Sequence, residues 1–448
     1  MVVRLGVQGQ IVNKIFSMKK KKKMWTSRNS TKRTKIFSED ALTHYDIDEE
    51  SGYSSTIPED LLLYGILFRL PAKVLFKFKL VCKYWNNLIT HCDSHFAALH
   101  NRHAKTIPSN SCFLSVSQKK GIISATYDDN LHFKIPSPDP FLSFSGSANG
   151  LLYGYPNYSD YPESGIIIWN PITKQSVTIP KSKRRFLNLA LAMDDDFGFA
   201  IVGIVITYIS SFWVSYLFEV YSSKTREWRR VPNVELLLPR EEQFELRNAV
   251  YSKGKVYWCL MRHIVWFDVE EETVAGIIPC LSEESGPAYC DWVEIGVCND
   301  GELSCSILTG EGDIDIWLLR TNKRKDDHEF EWVKKHHVET REIFKKNWDL
   351  VSRFCYKAKI HTVSELVEVV TREHPIIPLP YLDGDLVWFW MILEVGSKVN
   401  HKKRKKLDLK GKLFSINLRN QELKVFNRLK FELHPSIPFL PSLLPCPT

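Results

Sequence analysis

The stretch FEVYSSKTREW, residues 218–228, joins an apolar strand to a polar turn and to the start of a second strand. Aromatic and β-branched residues favour strands, whereas a run of short polar residues is typical of a turn. Similar phrases recur on both sides of it, at Ile166–Pro171, Val265–Val269, Ile314–Leu319 and Leu413–Leu418. The chain beyond residue 110 is therefore a repeat of short strands.

The spacing of these phrases predicts the architecture. Successive register marks are 52, 46, 50 and 99 residues apart, and we interpret the last step as about two periods, with strand-forming residues 386–389 inside the gap. A period near fifty with about four strands in each unit is typical of kelch-like propeller blades. Residues 111–448 then suffice for roughly six or seven blades. The register marks are Asn170, Ser222, Asp268, Leu318 and Asn417.

Residues 56–100 have a helical periodicity instead. Thr56 and Glu59 have the spacing of a capping box, and Pro58 stands in the first turn, where its missing N–H is not needed. Pro71 ends the first helix, and two more short helices follow. Three short helices in about forty residues bury their apolar surface poorly alone, so a partner is expected. The apolar faces are Leu63, Ile66, Leu67 and Leu70 in the first helix and Val81, Cys82, Trp85 and Ile89 in the third.

This helical segment resembles the plant F-box, which docks on a Skp-type adaptor. The matching motifs are IPEDL at 57–61, LFRLP at 67–71, FKLVCKYW at 78–85 and the following Phe96. Ile57 stands where leucine is usual and Val74 where serine is common, and both changes keep an apolar side chain. The resemblance implies an adaptor-binding set of Ile57, Pro58, Leu61, Leu62, Leu67, Leu70, Pro71, Leu75, Val81 and Trp85.

The repeat region is similar to the plant F-box-associated domain. The phrases that carry this resemblance keep the family's order across most of residues 110–430, although Ala148 stands where the family usually has cysteine. They are SANGLL at 147–152, WNPITK at 169–174, FEVYSSKTREW at 218–228, GKVYW at 254–258, and IW at 316–317 followed by WVKK at 332–335.

Together these patterns predict an α+β protein, with a small three-helix F-box at 56–100 followed by an all-β, propeller-like repeat domain at 101–448. Residues 1–55 are polar, first basic and then acidic, and are predicted to be a disordered extension. Residues 1–37 hold 11 of the 60 basic residues and no acidic one, which leaves 49 basic against 52 acidic residues in the remainder. That slightly acidic body argues against a broad nucleic-acid-binding surface.

One uncharged stretch, residues 197–218, is long enough to span a bilayer. It is rich in β-branched residues, contains Ser210-Ser211 and keeps its place in the repeat. We therefore interpret it as two buried strands joined by a turn, and expect no membrane contact.

The ten cysteines form no C-x-x-C pair, which favours reduced, buried thiols in a cytoplasmic or nuclear protein. Lysine-rich runs at 19–23 and 401–406 are either nuclear-import signals or solvated charge runs. Residues 1–17 lack the pattern of a secretory signal peptide.

The sequence contains no P-loop, no dinucleotide-binding glycine motif and no G-x-S-x-G, so no catalytic residue, metal or cofactor is expected. Histidines cluster after the third helix, where a polar, exposed helix end is a simpler explanation than zinc. Asp194–Asp196 are expected to form a hairpin turn, and His336-His337 are expected to lie at a blade edge with no special role. The clusters are His91, Cys92, His95, His100 and His103; Asp194–Asp196; and His336-His337.

The leading functional hypothesis is a substrate receptor of an SCF-type ubiquitin ligase. The F-box would bind a Skp-type adaptor and through it a cullin scaffold, and the propeller-like domain would bind a protein target that the sequence does not name. Two alternatives stay open at this stage: a propeller enzyme acting on carbohydrate, and an F-box scaffold outside ubiquitination.

Overall fold

A computed structural model describes most of the chain beyond residue 57, and Thr56, Ile57, Glu59 and the predicted extension 1–55 lie outside the described residues. The described residues are 58, 60–90, 94–105, 107, 111–117, 122–127, 132–137, 142–156, 165–193, 198–239, 249–259, 263–279, 293–298, 300–324, 327–373, 376–382, 384–394, 409–426, 437–440 and 446.

The repeat region forms six four-stranded antiparallel sheets, which we call blades 1 to 6. Blade 1 contains β1 (Cys112–Ser117), β2 (Ile122–Thr126), β3 (His132–Pro136) and β24 (Ile437–Phe439). Blade 2 contains β4 (Leu142–Ala148), β5 (Leu151–Pro156), β6 (Ile166–Trp169) and β7 (Ser176–Ile179). Blade 3 contains β8 (Asn188–Met193), β9 (Phe199–Ile209), β10 (Trp213–Ser222) and β11 (Glu227–Pro239).

The second half of the ring follows the same plan. Blade 4 contains β12 (Val250–Ser252), β13 (Lys255–Cys259), β14 (His263–Asp268) and β15 (Thr273–Pro279). Blade 5 contains β16 (Val293–Val297), β17 (Leu303–Leu308), β18 (Ile314–Arg324) and β19 (Asp327–Val338). Blade 6 contains β20 (Ile376–Pro378), β21 (Leu386–Glu394), β22 (Leu409–Asn417) and β23 (Glu422–Phe426).

The ring is closed by the two ends of the repeat region. Strand β24 pairs antiparallel with β1, with Cys112 opposite Phe439 and Leu114 opposite Ile437, so the last strand completes the first blade. Closure in this way gives blade 1 its fourth strand and gives each of the six blades a neighbouring blade on both sides. The predicted propeller is confirmed, with six blades.

The core lies between blades rather than inside one of them. Each of the six interfaces has its own cluster of buried residues, such as Phe218, Trp258 and Phe267 between blades 3 and 4. There the rings of Phe218 and Phe267 stack with centroids 5.5 Å apart. The aromatic residues scattered through the sequence are therefore shared among the interfaces.

All five register marks lie in the third strand of a blade or immediately after it, as the repeat predicted. The reading of the last step as two periods is wrong, because Leu318 and Asn417 belong to adjacent blades 5 and 6. The extra length is a helical insertion between β19 and β20, which the strand pattern did not predict. It consists of α5 (Thr340–Lys346), α6 (Trp348–Cys355) and α7 (Val363–Glu373).

The uncharged stretch forms β9 and β10, joined by a turn at Ser210, whose Oγ accepts the backbone N–H of Trp213 at 2.9 Å. Two strands and a turn were expected, and that prediction is confirmed. Their complete burial was also expected, and this is wrong for the outer half, where Ile206–Ile209 are exposed. No helix within the described ranges is long and apolar enough to cross a membrane.

The helical segment contains α1 (Leu61–Ile66), wound with the wider π spacing and continued by a 3-10 turn at Leu67–Arg69. Leu70 is extended at φ −88° and ψ 140°, since the residue before a proline is restricted, so Pro71 ends the helix as predicted. Three more helices follow, one more than the sequence indicated. They are α2 (Ala72–Phe78), α3 (Lys83–Thr90) and α4 (Ser94–Lys105).

Helix α4 covers α1, and its histidines are part of that packing. His100 is only 1% exposed, and its Nε2–H donates to the carbonyl of Leu70 at 2.9 Å. His103 stacks on Phe68 with ring centroids 4.9 Å apart. The expected exposed histidine end is therefore wrong for His100, whereas His95 is exposed and His91 and Cys92 lie outside the described residues.

We expect the helical segment to lose stability in mild acid. Burial lowers the pKa of His100, against an opposing contribution from its hydrogen bond to Leu70. Its stabilising contribution is complete above about pH 6.5, the pKa of an unfolded histidine, and is lost as the pH falls toward the lower folded-state pKa. Between those two values the loss approaches about 1.4 kcal/mol per pH unit.

Hydrogen exchange of the α4 amides at pH 7.5 and 5.5 measures this effect, after correction for intrinsic exchange rates. His100→Gln keeps a donor for Leu70 and does not titrate, so its protection should change less with pH than that of the wild type. His95→Gln, at an exposed position, is the matched control and should follow the wild type. Equal pH dependence in all three proteins would contradict the assignment.

We expect closure of the ring to depend on β24. Phe439 is buried between blades 1 and 2, so Phe439→Ala should lower the free energy of unfolding by about 3–5 kcal/mol. Tyr155→Ala, an aromatic change at an exposed strand end, should lower it by less than about 1 kcal/mol. Chemical denaturation monitored by tryptophan fluorescence compares them, and equal losses would show that β24 does not hold the ring closed.

Candidate functional site

The helical segment exposes large apolar side chains that the propeller does not cover. Leu61 is 60% exposed, Leu80 75% and Tyr84 52%, and Pro58 is exposed as well. Leu63 and Leu67 take the buried face of the first turns, which leaves Leu61 outside. A small helical unit with leucines in solvent presents the kind of surface that binds another protein.

The residues predicted to face an adaptor fall into groups with different burial. Pro58 and Leu61 are exposed, Ile57 lies outside the described residues, and the contact with an adaptor stays a prediction for the whole set. Four others are half-buried: Leu62, Pro71, Val81 and Trp85. Three are buried within the segment: Leu67, Leu70 and Leu75.

Trp85 shows why the half-buried group has two roles. Its ring packs edge to face against Phe78, with centroids 5.2 Å apart, so it links α3 to α2 while one side stays open to solvent. Replacing it would change the fold of the segment as well as its surface. A clean test of docking therefore uses the fully exposed side chains.

Sequence reasoning did not single out Leu80 and Tyr84, because neither belongs to the apolar helix faces that it identified. The signal was present, since Leu80 follows Lys79 and Tyr84 follows Lys83, so that each large apolar side chain stands next to a charged one. An exposed apolar side chain in such surroundings is a sign of a contact surface.

The helical segment is attached to blade 2 through a polar contact. Lys79 Nζ donates to the carbonyl of Ile172 at 3.1 Å. Ile172 belongs to the WNPITK phrase, a turn in which the Asn170 side-chain oxygen accepts the backbone N–H of Ile172 at 2.7 Å. The turn that Asn170 stabilises thus presents the Ile172 carbonyl to the lysine.

A second candidate site is a cavity of about 530 Å³ at one mouth of the central channel. All six blades contribute to its lining, together with Lys105 at the end of α4. Its charged and hydroxyl-bearing residues are of mixed sign, which favours no single class of charged ligand. Those side chains are Lys105, Ser111, Ser147, Tyr251, Ser252, Lys253, Glu270 and Asp300.

Tight turns between inner and second strands shape this mouth. Asn149 and Gly150 have φ of 48° and 80°, and Lys253 and Gly254 have 49° and 78°, the positive values that two-residue hairpins of type I′ require. Serines just before these turns join neighbouring blades. Ser252 Oγ donates to the carbonyl of Gly301 at 2.6 Å, and Ser147 Oγ donates to that of Pro438.

The hairpin behind the mouth is held by an ion pair. Lys255 Nζ lies 3.1 Å from Asp268 Oδ2 and 4.0 Å from the centroid of the Trp266 ring. Partial burial alone would raise the pKa of Asp268, but the backbone N–H groups of Glu270 and Glu271 and the Lys255 ammonium together lower it. The carboxylate is therefore ionised at neutral pH and serves the turn.

A histidine–carboxylate pair on blade 5 was assigned no special role from sequence. His337 Nδ1 lies 2.6 Å from Asp315 Oδ1, which joins β18 to β19. The nearby Thr340 hydroxyl donates to the carbonyl of Gly312 at 2.9 Å and is buried, so it is not bonded to the histidine as a nucleophile would be. The neighbouring Asp313, and not this pair, caps helix α5, because its Oδ1 accepts the backbone N–H of Thr340 at 2.8 Å.

Thiol and metal chemistry find little support in the described part of the chain. Burial raises the pKa of the Cys355 thiol to about 12 and that of Cys446 to about 11, which keeps both protonated. Cys82 is exposed, contrary to the expectation of buried thiols. Within the described ranges, no group of three histidine, cysteine, aspartate or glutamate side chains is placed to hold a metal ion.

Two protein-family models match this chain. The model of the F-box associated beta propeller domain matches residues 116–376, and the F-box domain model matches residues 55–97. Among solved structures, the Cps50 (Swd1) β-propeller domain of Myceliophteria thermophila covers 72% of this chain and 88% of its own, at 10% identity and a TM-score of 0.32. Because that overlap is weak, the propeller assignment rests on the strand pairing.

The relatives include F-box proteins of Arabidopsis thaliana. F-box protein At5g49610 is 26% identical over 50% of this chain and 64% of its own length. F-box protein At5g07610 is 29% identical over 52% and 60%, and F-box protein At3g08750 is 25% identical over 59% and 69%. The chain thus spans less than two thirds of the first two. Since the F-box associated propeller model matches more than half of the residues and the sheets close into a ring, the chain belongs to the F-box-associated β-propeller family and carries an F-box ahead of that domain.

Proposed function

We propose that this protein is the substrate-recognition subunit of an SCF-type ubiquitin ligase. The observation that carries the proposal is the exposed apolar surface of the F-box, formed by Leu61, Leu80 and Tyr84. It would bind a Skp-type adaptor and through it a cullin scaffold. The propeller would bind the protein target, in the cytoplasm, the nucleus or both.

The buried leucines of the F-box have a supporting part in this proposal. Leu67 and Leu75 are fully covered in the chain on its own, so they hold the shape of the surface from which Leu61 and Leu80 project. Exposed apolar side chains at the centre of an interface contribute most of the binding energy, and the buried ones keep them in place. We accordingly rank Leu61, Leu80 and Tyr84 ahead of the buried residues as adaptor contacts.

The proposed mechanism is positioning. Holding a target lysine near a ubiquitin-charged enzyme raises its effective concentration and makes a bimolecular transfer nearly unimolecular. The hydrogen bond from Lys79 to Ile172 supports this reading, since it ties the F-box to the target-binding domain. This chain would supply no reacting group. The kelch-like character of the blades stays a prediction.

We expect the double variant Leu61→Asp/Leu80→Asp to weaken adaptor binding by at least about 30-fold. Each change places a charge in the centre of the proposed apolar contact, and loss of one such anchor costs about 2 kcal/mol. Neither side chain is buried, so the thermal midpoint should stay near that of the wild type. Calorimetric titration with a purified Skp-type adaptor measures the affinity.

Leu350→Asp is the matched control, because Leu350 is an exposed leucine on helix α6, outside the F-box. It should bind the adaptor like the wild type. Undiminished binding by the double variant would overturn the proposed surface. Adaptor binding by the wild type without ubiquitin transfer to any co-purified protein in a reconstituted ligase would instead favour a scaffold outside ubiquitination.

A further inference from the structure

Blade 3 carries an apolar surface beyond the ring. Two of its residues, Phe212 at 77% and Tyr208 at 61%, are among the most exposed large hydrophobic side chains of the described chain. We call this surface the hairpin patch. It consists of Ile206, Tyr208, Ile209, Phe212, Trp213 and Leu237.

The patch exists because three strands of blade 3 are longer than the first. Strand β8 has 6 residues, whereas β9 has 11, β10 has 10 and β11 has 13. Strand β8 pairs with β9 only as far as Ile204, so the rest of β9 and the parts of β10 and β11 beside it extend past β8. Four successive residues, Ile206–Ile209, are exposed, so no described element covers either side of β9 at this point.

Hydrogen bonds across the strands hold the extension in shape. The register between β9 and β10 shifts at Thr207, which brings its Oγ1 to 2.9 Å from Ser215 Oγ. Ser215 Oγ in turn donates to a side-chain oxygen of Glu235 on β11. The three polar side chains form a line across the sheet, so this part of blade 3 is an ordered surface.

One face of the extension combines apolar side chains with a carboxylate. Ser215 on β10 lies opposite Tyr208 on β9 and opposite Leu237 on β11, so the three side chains are on one face of the sheet. Trp213 precedes Ser215 by two residues on β10 and therefore lies on the same face. Glu235 precedes Leu237 by two residues on β11, so it lies on the same face, and it is exposed. No basic side chain in the described ranges pairs with it, so the face has an acceptor and two aromatic rings but no cation.

We propose that this face binds a segment of the target protein in which apolar residues flank a lysine or an arginine. The cation would meet the Glu235 carboxylate and lie against the rings of Trp213 and Tyr208, while an apolar neighbour covers Leu237. Aromatic faces attract cations, and a carboxylate beside them adds charge-assisted hydrogen bonds. This inference rests on the proposed function, because it names the chemistry of the target.

Two other occupants fit the face less well. A second copy of this chain in a two-fold contact would bring its own Glu235 against the same surface, and like charges would repel. An anionic membrane attracts basic residues, whereas the residues described on this face include a carboxylate and no basic side chain. A protein segment with a positive charge satisfies both the apolar and the acidic part.

Selection from a phage-displayed library of random twelve-residue peptides tests the proposal on the full chain, immobilised through an N-terminal tag. We expect enriched peptides to contain a lysine or arginine next to aliphatic or aromatic residues. A synthetic copy of an enriched peptide should bind Trp213→Ala at least tenfold more weakly than the wild type. Glu235→Lys should lose that peptide and bind its Lys→Glu or Arg→Glu counterpart instead.

Leu350→Ala, at an exposed leucine away from blade 3, should leave peptide binding unchanged, and thermal melts should show that all variants are folded. Peptides without a basic residue, or peptides indifferent to Trp213→Ala and Glu235→Lys, would overturn the proposal. So would a dimer in sedimentation velocity that Trp213→Ala dissociates, or binding to phosphatidylcholine–phosphatidylserine vesicles that the same change abolishes.

Adaptor affinity of the same variants separates this proposal from the ligase assignment. It should match the wild type for Trp213→Ala and Glu235→Lys, since the patch lies on blade 3 and not on the F-box. Intact adaptor binding without peptide selection would refute the patch alone. Peptide selection without adaptor binding would refute the ligase assignment alone.

Discussion

A four-stranded sheet with two apolar faces is buried only when another sheet stands on each side of it, and in this protein six sheets meet that condition by closing into a ring. The closing contact is the pairing of β24 with β1, in which the three residues Ile437–Phe439 complete the first blade. Without it, blade 1 would lack its inner strand, and the cluster that holds Leu114, Leu152 and Ile437 would open to water. A ring that opens at this point would expose the apolar faces of two blades to water.

Closure also decides where function can lie. The side chains of the strands are used in packing between blades, and buried serines bond to the backbone of the next blade, as Ser252 does to Gly301 and Ser304 to Tyr381. The turns at the channel mouth and the segments outside the six sheets stay available for binding. The F-box is one such part, and its exposed leucines face no blade.

The repeat was predictable because its marks are set by local chemistry. Asn170, Asp268 and Asn417 each end a third strand and accept backbone N–H groups two residues ahead through their side-chain oxygen. Such turns require a particular residue at a particular place, so they leave a periodic signal in the sequence. The residues predicted to face an adaptor were harder to sort, since Leu61 and Leu67 look alike in a helical pattern, although the first is exposed and the second is buried. The burial of His100 and the β24 closure depend on contacts between distant residues, which no local pattern records.

Two segments are added to the basic ring, and they differ in how far their apolar side chains are buried. The helices between β19 and β20 bury Phe344, Phe354 and Leu366 against blades 5 and 6, and Asp313 caps the first of them, so their apolar residues are explained by packing. The extension of β9 to β11 has the same apolar composition but leaves its side chains in solvent, although hydrogen bonds keep it ordered. An ordered apolar surface exposes the protein to aggregation unless a partner covers it. Packing therefore explains the helical insertion, whereas the target segment proposed above would explain the exposed apolar side chains of blade 3.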